Sequence, residues 1–138
     1  MNASKNHIRI IGDFSQPRLR KLELNDNKIH DLSNFKGISS NLKVLCLANN
    51  RIADLSPLAN MPYCEELYVS GNKITSIKEL QNMPSLKVLH MRGNRMAKIE
   101  EVFNGPKLEY INLRDNAKLT ADGLEKLCGF KLLSKVNM

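Results

Sequence analysis

Apolar residues along this chain follow an eleven-residue template. In Leu42–Ile52 (LKVLCLANNRI) the fixed places are Leu42, Leu45, Leu47, Asn50 and Ile52. The template returns at Leu19 (LRKLELNDNKI), Cys64 (CEELYVSGNKI), Leu86 (LKVLHMRGNRM) and, more loosely, Leu108 (LEYINLRDNAK), at spacings of 23, 22, 22 and 22 residues. In its first half, Leu45 and Leu47 alternate with Val44, Cys46 and Ala48, the period of two expected of a short strand with one covered face. The second half has period three: Ile29, Leu32, Phe35, Ile38; Ile52, Leu55, Leu58, Met61; Ile74, Ile77, Leu80, Met83; Met96, Ile99, Val102. Side chains three apart eclipse in a 3₁₀ turn, so this half predicts narrow 3₁₀-like turns rather than α-helix. Asn60-Met61-Pro62, Asn82-Met83-Pro84 and Asn104-Gly105-Pro106 punctuate equivalent places, where proline stops the turn before the next strand.

The ends depart from the template. Asn6, Ile8, Ile11 and Phe14 match Asn27, Ile29, Leu32 and Phe35 at an offset of 21, so residues 6–14 read as the back half of a repeat whose front strand is missing. Residues 1–18 are therefore expected to cap the core with Ile8, Ile11 and Phe14, and 19–118 to hold five repeats. After Asn116 the pattern breaks. Thr120–Gly129 predicts a short α-helix, with Thr120 as N-cap, Leu124, Leu127 and Cys128 on one face and Gly129 at its end. Leu133, Val136 and Met138 then repeat the strand half, so 119–138 is expected to be a capping helix and a terminal strand with an unpaired outer edge open to self-association. The recurring asparagines Asn27, Asn50, Asn72, Asn94 and Asn116 are expected to be buried and to bond backbone groups where the chain leaves each strand.

Composition alters this picture little. The 138 residues suit one domain, 42% are hydrophobic and 25% charged, and no apolar run reaches membrane-spanning length. No membrane role is expected. The start lacks the apolar stretch of a signal peptide, and three scattered cysteines (Cys46, Cys64, Cys128) suit reduced thiols, so a cytoplasmic or nuclear location is expected. The formal net charge of +7 attracts acidic partners in general.

The template, its period and its period-three back resemble the short intracellular leucine-rich-repeat proteins, the class of the type-1 phosphatase regulatory subunit and an axonemal dynein light chain. The resemblance covers roughly residues 6–138. It implies an α/β-class, right-handed solenoid with a parallel sheet on its concave side and 3₁₀ or irregular turns on its convex side. It further implies a scaffold for a protein partner, of regulatory or cytoskeletal/axonemal adaptor type, at home in the cytoplasm, nucleus or axoneme.

The outward strand places can then be read as columns. Third places are Lys21, Val44, Glu66, Val88, Tyr110 and Lys135; fifth places are Glu23, Cys46, Tyr68, His90, Asn112 and Asn137; seventh places are Asn25, Ala48, Ser70, Arg92 and Arg114. Val44, Cys46, Tyr68, Val88, His90, Arg92 and Tyr110 form the expected binding patch, because an apolar and aromatic centre with a polar surround is how interface hot spots are laid out. Beside it, the tenth places Lys28, Arg51, Lys73 and Arg95 make a basic ridge, which suits a partner with acidic segments. The alternative is a nucleic-acid or ribonucleoprotein subunit using that ridge, although no run of stacking aromatics is interleaved with it.

Catalysis is not expected. Cys46 and His90 share a column two strands apart, about 10 Å, whereas a nucleophile and its base need about 3 Å. Cys64 occupies a core place, and His7, His30 and His90 fall in different repeat positions, which offers no metal-ligand cluster. No cofactor is expected.

Overall fold

A computed structural model describes residues 1–12, 16–37, 41–59, 61–99, 107–120, 126–127 and 130–138. Among them, six three-residue strands form one sheet: β1 (Lys21–Glu23), β2 (Val44–Cys46), β3 (Glu66–Tyr68), β4 (Val88–His90), β5 (Tyr110–Asn112) and β6 (Lys135–Asn137). They lie in chain order and pair in parallel. The register matches the repeat columns, Lys21 to Val44 to Glu66 to Val88 to Tyr110 to Lys135. A parallel sheet in chain order requires each link to carry the chain back to the strand start, and the period-three halves do this. Among the described residues three of these halves carry 3₁₀ turns: Ser33–Gly37, Ser56–Leu58 and Lys78–Asn82. Asp31 and Asp54 start two of them by accepting the N–H of Ser33 and Ser56 at 2.7 and 2.8 Å.

The core lies between these layers. Leu22, Leu45, Leu67, Leu89 and Ile111 enter it from the strands and Ile29, Ile52, Ile74 and Met96 from the chain beyond, all fully buried. The asparagine column joins one coil to the next. Asn72 Nδ2 donates to the carbonyls of Val69 (3.0 Å) and of Leu47 in the previous repeat (2.9 Å), and its Oδ1 accepts the N–H of Ile52 at 3.0 Å. Asn27, Asn50, Asn94 and Asn116 repeat the arrangement. The residue before each asparagine has a left-handed backbone, with φ between 55° and 68° at Asp26, Asn49, Gly71, Gly93 and Asp115. In these five repeats short polar residues or glycine occupy that place, as its sterics favour.

At the N-terminal end the chain carries more of a repeat than residues 6–14 alone suggest. Ala3 N–H donates to Glu23 O at 2.8 Å and Glu23 N–H to Met1 O at 3.0 Å, so the first residues run beside β1 and cover its edge. Lys5 takes the left-handed place (φ 58°), and Asn6 donates to the carbonyls of Ala3 and Ser4 as the buried asparagines do to theirs. Ile11 is buried and Ile8 packs against the core, while Phe14 lies outside the described residues. So do Ile38, Val102, Asn60, Asn104, Gly105, Pro106 and Cys128, together with most of the expected helix over Thr120–Gly129. No α-helix occurs among the described residues, and of that segment's apolar face Leu127 is seen buried against the core. No described helix is long and apolar enough to cross a membrane.

Candidate partner-binding face

The outward side chains of β3, β4 and β5 form a continuous row of rings. His90 stacks on Tyr68 with centroids 4.8 Å apart and planes 21° from parallel, and on its other side meets Tyr110 at 4.8 Å and 37°. On β6, Lys135 Nζ sits 5.6 Å from the Tyr110 centroid, within cation–π range. Register brings these rings side by side. His90 pairs with Tyr68 along one column and Val88 with Tyr110 along the other, so Tyr110 lies diagonally from His90 and tilts to reach it.

The hydroxyls at both ends are tethered. Tyr68 Oη donates to Glu66 Oε2 at 2.8 Å, and Asn137 Nδ2 donates to Tyr110 Oη at 3.1 Å. Burial, aided by the bond to Glu66, pushes the Tyr68 phenol up to about 12. Burial between rings also pushes the His90 imidazole below its ordinary value, against an opposing pull from Glu66. Both shifts favour the uncharged form of the ring concerned.

Around the row, Val44 and Val88 are half-buried. Arg92 is exposed and donates from Nε to Asp115 Oδ2 at 2.6 Å. Cys46 lies in the floor of the face, only 8% exposed, and burial raises its thiol above its ordinary value. Cys64 is fully buried, with its thiol pushed up to about 12. Both thiols are free, and neither is poised as a thiolate. Among the described residues no group of three or more His, Cys, Asp or Glu is placed to hold a metal ion.

Glu66, Lys135 and Asn137 were not singled out from sequence, yet they set the positions of the two tyrosines. Their signal was present: Glu66 precedes Tyr68 by two residues on the same face, and Lys135 and Asn137 flank Tyr110 on the next strand. The tenth-place residues lie beyond the strand ends, directly after the asparagine column. Arg51, Lys73 and Arg95 are exposed and Lys28 is half-buried.

Two leucine-rich-repeat family models match the chain, one over residues 40–96 and another over 106–128, together more than half of it. No curated protein matches in sequence. Among solved structures, an internalin (inlF) from Listeria monocytogenes aligns with a TM-score of 0.77 at 26% identity, covering 88% of this chain and 35% of that one. The functional domain of InlJ from Listeria monocytogenes, described as including a cysteine ladder, aligns at 0.71 and 18% identity, covering 99% of this chain and 33% of that one. A leucine-rich-repeat protein of Leptospira interrogans aligns at 0.60 and 19% identity, covering 86% of this chain and 37% of that one. The chain thus spans about a third of the length of these solved relatives. With its asparagine column, parallel sheet, 3₁₀ turns and both family matches, this chain belongs to the leucine-rich-repeat proteins.

Proposed function

We propose that the chain is a non-catalytic scaffold that holds a protein segment across its concave face, over Tyr68, His90 and Tyr110. Leucine-rich-repeat proteins are in general protein-interaction scaffolds. The observation that carries the reading for this face is the row of three contacting rings left half-exposed at the centre of the sheet. Tyrosines are enriched at interface hot spots because they offer a large apolar area with a polar tip. Here Glu66 and Asn137 already hold those tips, so little side-chain freedom is lost on binding. Val44 and Val88 extend the apolar centre, with Cys46 beneath and Arg92 at its margin. An intracellular adaptor suits the two free thiols.

Six strands span only about 29 Å, so the sheet alone falls short of the ~800 Å² per partner of a standard interface. The partner is expected to reach the adjoining loops as well. Replacing Tyr68 and Tyr110 together by alanine tests the reading in affinity capture from native extract with mass-spectrometric quantification. The proteins held by the wild-type chain are expected to be lost from a variant whose circular dichroism is unchanged. Equal capture by both would contradict the proposal.

A further inference from the structure

The two edges of the sheet carry their charge differently. Where the strands begin, two of the cations are answered within the fold: Glu65 binds Lys43 at 2.7 Å through one carboxylate oxygen and Lys87 at 2.9 Å through the other. Where the strands end, Lys28, Arg51, Lys73 and Arg95 stand in a column, and among the described residues none of their side chains has an ion pair or hydrogen bond. The column is held in place by its backbone. Each member's N–H donates to the carbonyl of an isoleucine one repeat earlier, Ile8, Ile29, Ile52 and Ile74, at 2.8 to 2.9 Å. Four cations are thus set one per repeat on a rigid rail, and none of them is ion-paired among the described residues.

We propose that this edge takes an acidic protein segment laid along the solenoid axis, as an extension of the partner held on the concave face; it rests on that reading. Repeats stacked about 4.8 Å apart place the four cations over about 14 Å. An extended chain with same-side residues about 6.6 Å apart presents about three carboxylates over that length. The flexible stems of lysine and arginine absorb the difference in spacing, and the arginines can take carboxylates in bidentate pairs.

A polypeptide fits this rail better than a phosphodiester chain. The side chains two places beyond each cation are His30, Ala53, Thr75 and Ala97, so three of the four offer no ring for a base to stack on. Asp26, Asp31 and Asp54 lie two or three residues from Lys28 and Arg51 along the chain. A phosphodiester must bring a charge to every unit, whereas a polypeptide can place neutral residues opposite those aspartates.

Fluorescence anisotropy with a labelled short polyglutamate peptide and a labelled oligouridylate tests the inference on the whole chain. Polyglutamate is expected to bind, to weaken with added salt, and to lose about tenfold in affinity to Arg51→Glu/Lys73→Glu/Arg95→Glu. A control with the same change of charge, Arg18→Glu/Lys107→Glu/Lys131→Glu in the stretches leading into β1, β5 and β6, is expected to bind as wild type. The single variant Lys73→Glu gives the same comparison with a smaller loss, should the triple variant fold poorly. Failure of polyglutamate to bind, equal loss in both triple variants, or tighter oligouridylate binding through the same column would each overturn the inference. The Tyr68→Ala/Tyr110→Ala variant is expected to keep polyglutamate binding, so failure at this edge and failure of the concave face to bind are distinguishable.

Discussion

Asn72 carries more of the fold than any exposed side chain near it. Its amide satisfies the Ile52 N–H and the carbonyls of Leu47, Val69 and Ser70, all where the chain leaves the sheet. Asn72→Ala leaves buried backbone groups without partners and is expected to cost about 3 kcal/mol, read from urea unfolding. A loss within a few tenths of a kcal/mol would contradict the structural role. Charge gives a second residue-scale expectation. Hydrogen bonds from Lys43 and Lys87, with their charge, lower the Glu65 carboxyl from an ordinary 4.5 to about 2. The folded carboxyl therefore ionises at lower pH than the unfolded one. Its contribution is complete above about pH 4.5 and disappears as pH falls towards 2. The urea midpoint of wild type is expected to exceed that of Glu65→Gln at pH 7, by a small margin because the pair is solvent-screened, and the gap to close over that window. A gap that stays constant would contradict it. Residue detail is also where sequence reading fell short. Cys46 reads as an outward residue, and its place in the register is outward, yet a short side chain flanked by Glu23 and Tyr68 sinks below its neighbours. Exposure depends on the heights of adjacent side chains, which period two does not encode.

Strands and turns were legible because each imposes a period on its apolar residues. The columns read from the repeat template are the pairings of the sheet, down to Tyr110 opposite Lys135 across an interval of 25 residues. Less legible was the entry to the sheet, because Met1–Lys5 pairs through backbone groups that leave little trace in side-chain pattern. Neighbouring repeats are coupled through shared acceptors. The Leu47 carbonyl receives Nδ2 from Asn50 at 3.0 Å and from Asn72 at 2.9 Å. The double variant Asn50→Ala/Asn72→Ala is therefore expected to depart from the sum of its single variants by more than about 0.5 kcal/mol, whereas Asn27→Ala and Asn116→Ala, at opposite ends, are expected to add within that margin. Additivity in both pairs would show the column to be a set of independent caps.

Across the whole molecule, one arc presents two surfaces of different character. The candidate face offers a shelf of rings positioned by Glu66, Lys135 and Asn137, and the edge where the strands end offers cations with no ion pair among the described residues. The fold was legible because every repeat restates it. The candidate face was legible only as columns of residues, since the contacts between Tyr68, His90 and Tyr110 depend on ring orientations that register permits but does not dictate. The most direct measurement is nuclear magnetic resonance of the chain titrated with the partner recovered by affinity capture, following backbone amides and the aromatic ring signals together. Shifts are expected to concentrate on Val44, Tyr68, Val88, His90 and Tyr110. Shifts confined to the convex turns at Ser33–Gly37, Ser56–Leu58 and Lys78–Asn82, with the three rings unmoved, would contradict the concave-face assignment.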